Sequence, residues 1–187
     1  MSEKTYNVLV LCTGNSARSI LGEVLFNTLG KGKFKAYSAG SKPAGKVNPG
    51  ALEWLKANGH STEGLRSKSW DEFIAPGAPV FDFVFTVCDN AAGEPCPLWL
   101  GKPVMAECGV PEPTEAGHSH TSSSLNRAHW GIPDPAHIEG DEARREAFNK
   151  TAERLTHRIQ MFLALSIDKL DRFELQEKLA EIGRIRD

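Results

Sequence analysis

The stretch from Tyr6 to Ser19, YNVLVLCTGNSARS, restricts this chain more than any other. Asn7 to Leu11 is an apolar run of strand length rich in β-branched residues, Cys12 to Ser16 is small and polar, and Ala17 onward turns helical. Strand, tight loop and helix in that order aim the loop amides and a helix N-terminus at one spot, which makes a cradle for an anion. A cysteine stands at its mouth. Six residues on, Arg18 can fold its planar guanidinium over the same spot and grip a tetrahedral oxyanion with two parallel N–H groups. A thiol beside a helix N-terminus and a cation is expected to ionise easily, its pKa falling from about 8.5 to roughly 3.5 to 7.5. Cys12 is therefore expected to be mostly thiolate at neutral pH, with Ser19 donating its hydroxyl to the sulfur and Asn15 holding the loop in shape.

Cys-x5-Arg is short enough to recur by chance, and a buried structural cysteine at a strand end is the plain alternative. Context decides between them: a buried-type strand on one side, an amphipathic helix on the other, Gly14 and small polar residues between. CTGNSARS resembles the phosphate-binding loop of the low-molecular-weight protein tyrosine phosphatase superfamily, which includes arsenate reductases of the same fold. The resemblance implies a nucleophilic Cys12, an oxyanion-binding Arg18, and a cradle made by Thr13, Gly14, Asn15, Ser16, Ala17, Arg18 and Ser19.

The rest of the chain suits such a site. With 187 residues, 40% hydrophobic and 25% charged, it can form one domain with a substantial core. A formal net charge of -2 offers no general attraction to nucleic acid or an anionic membrane, so an oxyanion site has to be built locally. No apolar run reaches the roughly 18 residues of a membrane span, and MSEKTYN lacks a signal-peptide pattern. The expected location is the cytoplasm, where Cys12, Cys88, Cys96 and Cys108 are normally reduced and a disulfide is catalytic or redox-sensing before it is structural.

Downstream of the cradle, Ile20, Leu21, Val24, Leu25 and Leu29 keep a helical apolar stripe that Gly30 stops. Phe34 to Tyr37 reads as a second strand, ended by the loop SAGSKPAG; YSAG also looks like the family's second-strand ending. Asn48 and Pro49 open a helix containing Leu52, Trp54 and Leu55 and closed by Asn58-Gly59, SKSWDEF suggests a short helix, and Phe81 to Val87 is a third strand covered on both faces. Residues 139–165 carry a long helical stripe through Phe148, Ala152, Leu155, Ile159, Phe162 and Leu163, and Asp168 to Ile182 repeats the pattern with Leu170, Phe173, Leu179 and Ile182. Alternating strands and helices predict a doubly wound α/β fold, a parallel sheet of four strands with helices on both faces and a ligand outside the strands' carboxyl ends.

Cys12 lies at one such end and Cys88 at another. In the resembled fold strands one and three are neighbours, about 4.8 Å apart, which would bring the two thiols near disulfide distance. Cys96 follows Cys88 on VCDNAAGEPCP, a Gly- and Pro-containing segment. The pair resembles the redox cysteines of thioredoxin-coupled arsenate reductases and has no role in a simple phosphatase. The implied reaction is attack of Cys12 on arsenate, attack of Cys88 on the Cys12 sulfur with release of arsenite, and attack of Cys96 on Cys88. The resulting disulfide would be reduced by thioredoxin, glutaredoxin or a small thiol, with no bound cofactor.

The proton donor to the departing oxygen is expected to be Asp134 in AHWGIPDPA, which looks like the family's Asp-Pro loop; Pro133 and Pro135 would stiffen it and Trp130 would shelter the carboxyl. AECGVPEP at 106–113 nearly repeats AHWGIPDP at 128–135, a doubling that the resembled family lacks. An insert near 107–127 follows from it, with Glu112 as rival acid and Cys108 as a spare thiol. A zinc site from Cys96, Cys108, His118 and His120 is disfavoured because no Cys-x2-Cys pair is present. Glu23 and Ser38 match positions that some relatives use for a monovalent cation, and Lys68 stands where its own ammonium can supply that charge. No metal is expected. The reading is therefore a monomeric, single-domain arsenate reductase, residues 1–187, with phosphatase action on aryl phosphates or phosphotyrosine as the alternative and a non-catalytic thiol switch as a third.

Overall fold

The computed structural model describes residues 4–88, the backbone of 104–106, and residues 129–185. Its sheet contains β1 (Tyr6–Cys12), β2 (Phe34–Gly40), β3 (Phe83–Thr86) and β4 (Val104–Ala106), all parallel, in the order β2-β1-β3-β4. β1 is thus an interior strand, and it pairs residue for residue with β2 from Tyr6 opposite Phe34 to Cys12 opposite Gly40. Against β3 the register runs Val8 with Phe83 to Leu11 with Thr86, so the chain beyond β3 emerges beside the cradle.

Helix α1 (Arg18–Leu29) follows the cradle directly; Ile20, Leu21 and Leu25 of its expected stripe are buried, Val24 and Leu29 are partly buried, and Phe26, outside that stripe, is buried as well. Gly30 follows its last turn, where the space admits only glycine: a Cβ there would lie 2.7 Å from the Phe26 carbonyl oxygen and 2.9 Å from Phe34 Cβ. Helix α2 (Pro49–Ala57) is capped as predicted, the Asn48 side chain accepting from Gly50 N at 2.8 Å with Pro49 in the first turn. Helix α3 (Asp141–Leu163) and helix α4 (Arg172–Gly183) complete the order. Asp171 and Glu174 close a reciprocal capping box at the start of α4.

Two clusters cover the sheet. Val8, Val10, Cys12, Phe83 and Phe85 face the larger one, with Ile20 and Phe26 of α1, Leu55 of α2, Phe148, Leu155, Ile159 and Phe162 of α3, and Leu175 and Leu179 of α4. Leu9, Leu11 and Val84 face the smaller one, where Phe73 and Phe81 pack against Tyr37 and Trp70. Among the described residues this second face carries a 3-10 turn, Trp70–Phe73, instead of an α-helix. The tail also departs from expectation at Phe173, which sits 60% exposed, while Leu175, Leu179 and Ile182 make the buried face of α4. Among the described residues no helix is long and apolar enough to cross a membrane.

Trp130 is fully buried in the larger cluster. Its ring lies 4.4 Å from that of Phe85 and 6.3 Å from that of Phe26, and its indole N–H donates to Leu179 O at 3.4 Å. The tryptophan therefore anchors the root of the Asp-Pro loop in the core, and the expectation that it shelters the Asp134 carboxyl is corrected.

Candidate active site

At the carboxyl end of β1 the chain bends so sharply that Asn15 takes the left-handed conformation, φ 44, which asparagine tolerates better than most residues. The bend places the Asn15 amide 3.1 Å from Cys12 Sγ and buries the Asn15 side chain completely. Lys68 N donates to Asn15 Oδ1 at 2.9 Å, which fixes the orientation of the side-chain amide. Both Nδ2 hydrogens are then accounted for, one on Ser19 Oγ at 2.8 Å and one on Ser38 Oγ at 2.9 Å. Each serine accepts from asparagine, so each keeps one hydrogen to give elsewhere. Ser19 gives it to Cys12 Sγ, 2.9 Å away, and Ser38 gives it to Glu23 Oε2. Lys68 Nζ completes the chain, 3.4 Å from Glu23 Oε2 and 3.5 Å from Ser38 Oγ. The lysine ammonium thus occupies the position between Glu23 and Ser38 where the sequence placed it.

The cradle is stapled to its neighbours through backbone. Lys42 N donates to Thr13 O and Ala44 N to Gly14 O, at 2.9 and 2.8 Å, and Asn48 N donates to Ser16 O at 2.9 Å. Gly40 makes this packing possible, because a Cβ there would lie 2.4 Å from Thr13 O. Ala17 caps α1 without a side-chain hydrogen bond, so the helix N-terminus itself is left to the cradle.

The electrostatics of Cys12 differ from the sequence expectation. Burial pushes its thiol up; the Ser19 hydrogen bond and the Arg18 charge pull it down, and the neighbouring Cys88 pushes it up further. The balance stands above the ordinary thiol value, which corrects the expected low pKa. Motif reading weighs the groups that favour the thiolate but not the loss of water around a sulfur that is 3% exposed. Ser19→Ala is expected to move Cys12 further up, because it removes the strongest opposing interaction. The alkaline displacement should appear in the pH dependence of Cys12 alkylation by iodoacetamide; an unchanged or acid-shifted profile would refute it.

Arg18 lies against the Asp-Pro loop. Its Nη1 donates to Ile132 O at 3.0 Å and its Nη2 to Asp134 Oδ2 at 2.7 Å, an ion pair whose partners are 14% and 35% exposed. Asp134 Oδ1 also accepts from Ala136 N at 3.0 Å. The two residues expected to bind and to protonate the oxyanion are thus in contact with each other. The loop root is hydrogen-bonded to the end of β3, Trp130 N to Thr86 O at 3.1 Å and Ile132 N to Val87 O at 3.3 Å. Cys88 follows Val87 directly; its buried sulfur lies 3.5 Å from Thr13 Oγ1, and both it and Cys12 are thiols. Cys12, Arg18, Cys88 and Asp134 therefore gather at one end of the sheet. Cys96, Cys108, Glu112, His118, His120 and the insert near 107–127 lie outside the described residues. Among the described residues no three His, Cys, Asp or Glu side chains cluster as a metal site. Sequence reading missed the carbonyl of Ile132, the amide of Lys68 and the hydroxyl of Thr13 as partners; the first two are backbone groups, which carry no residue-type signal.

A family model described as low molecular weight phosphotyrosine protein phosphatase matches residues 7–176, nearly the whole chain. The chain belongs to that family. An arsenate reductase of Halalkalibacterium halodurans is 31% identical over 156 residues, 83% of this chain and 93% of the relative. The crystal structure of an arsenate reductase from Archaeoglobus fulgidus is 26% identical, with a TM-score of 0.52 over 82% of this chain and 98% of that one. A low molecular weight protein tyrosine phosphatase from T. tengcongensis shares the fold with a TM-score of 0.55 over 89% of this chain and all of that one, at 24% identity. Within the low molecular weight phosphatase family the chain is thus similar to proteins of both names.

Proposed function

We propose that this protein reduces arsenate to arsenite, with Cys12 as nucleophile and Cys88 as the second thiol. The observation that carries the reading is the position of Cys88, just past the end of the strand next to that of Cys12, where its buried thiol touches the cradle residue Thr13. A phosphoenzyme hydrolysed by water needs no second thiol there. The relatives named arsenate reductase, at about 31% identity, support the same choice.

The reaction runs in three thiol steps. The Cys12 thiolate attacks arsenic(V), an S–As bond forms, and one oxygen leaves as water after Asp134 gives it a proton. Arg18 and the cradle amides balance the charge on the remaining oxygens. The Cys88 thiolate then attacks the Cys12 sulfur; an S–S bond forms, the S–As bond breaks, and its electron pair stays on arsenic, which leaves as arsenite. Attack of Cys96 on Cys88 frees Cys12 and leaves a Cys88–Cys96 disulfide, to which a dithiol donor such as thioredoxin, near -270 mV, returns two electrons. Asp134 must exchange its ion pair with Arg18 for a proton before it can act, and oxyanion binding to Arg18 provides the occasion. We place the protein in the cytoplasm as a monomer of one domain with an insert near 107–127, without a resident metal or cofactor.

A phosphatase reading draws on the same cradle, since phosphate and arsenate share shape and charge, and on the phosphatase of T. tengcongensis with the same fold. Supplying arsenate with NADPH, thioredoxin and thioredoxin reductase separates the two. Arsenate-dependent NADPH consumption over many turnovers is the expected result. Hydrolysis of p-nitrophenyl phosphate with no arsenate-dependent NADPH consumption, either with thioredoxin and its reductase or with glutaredoxin, glutathione and glutathione reductase, would make the protein a phosphatase.

A further inference from the structure

Ile132 makes two bonds with opposite faces of one residue. Its amide donates to Val87 O at 3.3 Å, and its carbonyl accepts Arg18 Nη1 at 3.0 Å. Two residues on, Asp134 takes Arg18 Nη2 at 2.7 Å. Two residues before, Trp130 holds Thr86 through backbone, and the Thr86 hydroxyl meets His129 Nδ1 at 3.1 Å. Residues 129–134 therefore form a strap fastened to the end of β3 at one side and to the oxyanion arginine at the other. Cys88 is the next residue beyond the fastened end.

The guanidinium has a limited set of N–H directions, and a planar two-point grip on an oxyanion uses an edge of it. The strap takes one N–H from each of Nη1 and Nη2; a two-point grip on the remaining edge would use Nε–H and the second N–H of one Nη, and would set the oxyanion's charge beside the Asp134 carboxylate on the same guanidinium. An oxyanion in the cradle and the Asp134 end of the strap thus compete for the charge of Arg18.

We infer that the Ile132–Asp134 segment is a positioning element that couples occupancy of the cradle to the freedom of Cys88. With the cradle empty, Arg18 holds the strap down and the strap holds the end of β3, keeping the Cys88 thiol buried. An oxyanion draws Arg18 away, the strap loosens at Ile132, and the segment carrying Cys88 gains the play it needs to reach the Cys12 sulfur. The order protects the enzyme, because the second thiol is released only when there is something on the first for it to reduce. Asp134 is in this respect a positioning residue in addition to its proposed role as acid. The inference rests on the reading of the cradle as an oxyanion site.

The test labels the reduced wild-type protein with iodoacetamide, with and without saturating inorganic phosphate, and follows Cys12 and Cys88 separately by mass spectrometry, with fragment ions resolving Cys88 from Cys96. Phosphate is expected to slow labelling of Cys12 and to speed labelling of Cys88, each about ten-fold or more, the scale set by breaking one charge-assisted hydrogen bond. The opposite signs matter, because a ligand that merely stabilised the fold would slow both. Asp134→Asn, which keeps the shape and removes the charge, is expected to raise Cys88 labelling in the absence of phosphate and to shrink the further rise that phosphate causes. Cys88 labelling that phosphate leaves unchanged or slows, with Cys12 protected, overturns the coupling alone. No protection of Cys12 would overturn the oxyanion site itself.

Discussion

Cys12→Ser is expected to abolish arsenate reduction and aryl phosphate hydrolysis together, each by roughly four to six orders of magnitude, while leaving phosphate binding in place. In the proposed mechanism both reactions begin with the Cys12 sulfur attacking at the same position in the cradle, so neither has a second route. Serine keeps the hydrogen bond that Ser19 offers and the acceptor that the Asn15 amide needs, and it introduces no cavity in a site where Cys12 is 3% exposed. What it lacks is a group that ionises near neutral pH. The measurement is a pair of assays beside a phosphate titration followed by calorimetry. Residual turnover above about one per cent in either assay would mean that another thiol can open the reaction. Loss of phosphate binding as well would mean that the cradle had collapsed, and the comparison would have to be repeated with Cys12→Ala.

Cys88→Ser should divide the two activities. Reduction over many turnovers is expected to fall at least about a hundred-fold, because arsenic(V) held on Cys12 then has no adjacent thiolate to accept the sulfur. Hydrolysis of p-nitrophenyl phosphate is expected to stay within a few-fold of wild type, since the nucleophile, Arg18 and Asp134 remain. A second effect has a definite sign. The neighbouring Cys88 pushes the Cys12 thiol up, so its removal lets Cys12 ionise at lower pH. The alkylation profile of Cys12 should therefore move toward acid in Cys88→Ser, opposite to its movement in Ser19→Ala. Equal loss of both activities would assign Cys88 a structural part in holding the cradle, through its contact with Thr13.

Much of the site was legible because its chemistry is local in sequence. Cys12, Asn15, Arg18 and Ser19 fall on one strand-loop-helix unit, and the strand is marked by its β-branched run and the helix by its stripe. The approach of Cys88 rested on the strand order of the resembled fold, which the sheet bears out by pairing β1 with β3. Glu23, Ser38 and Lys68 were grouped through the resemblance, by positions that some relatives use for a cation, and they meet. What the residues could not convey was direction. That Arg18 turns to Ile132 and Asp134 depends on a loop more than a hundred residues away, and that Trp130 turns into the core depends on the space left by Phe85, Phe26 and α4. The Cys12 thiol was placed on the wrong side of its ordinary pKa for the same reason, since burial is a property of the assembled core. Phe173 shows the converse error: an apolar residue fitting a helical pattern need not lie on the buried face, because exposed apolar side chains are common.

The position of β1 inside the sheet has a consequence for how the protein is made. The strand that carries the nucleophile is made before both of its neighbours, which are completed only at Gly40 and Thr86, and the partners of Arg18 at Ile132 and Asp134 come later still. At roughly 5 to 20 residues per second, the interval between synthesis of Cys12 and of Asp134 is about 6 to 24 s. Throughout it the nascent chain carries an ordinary accessible thiol, open to any oxidant or metal ion, before burial makes it a guarded one. The Cys12 thiol is thus most exposed before the fold that buries it is complete.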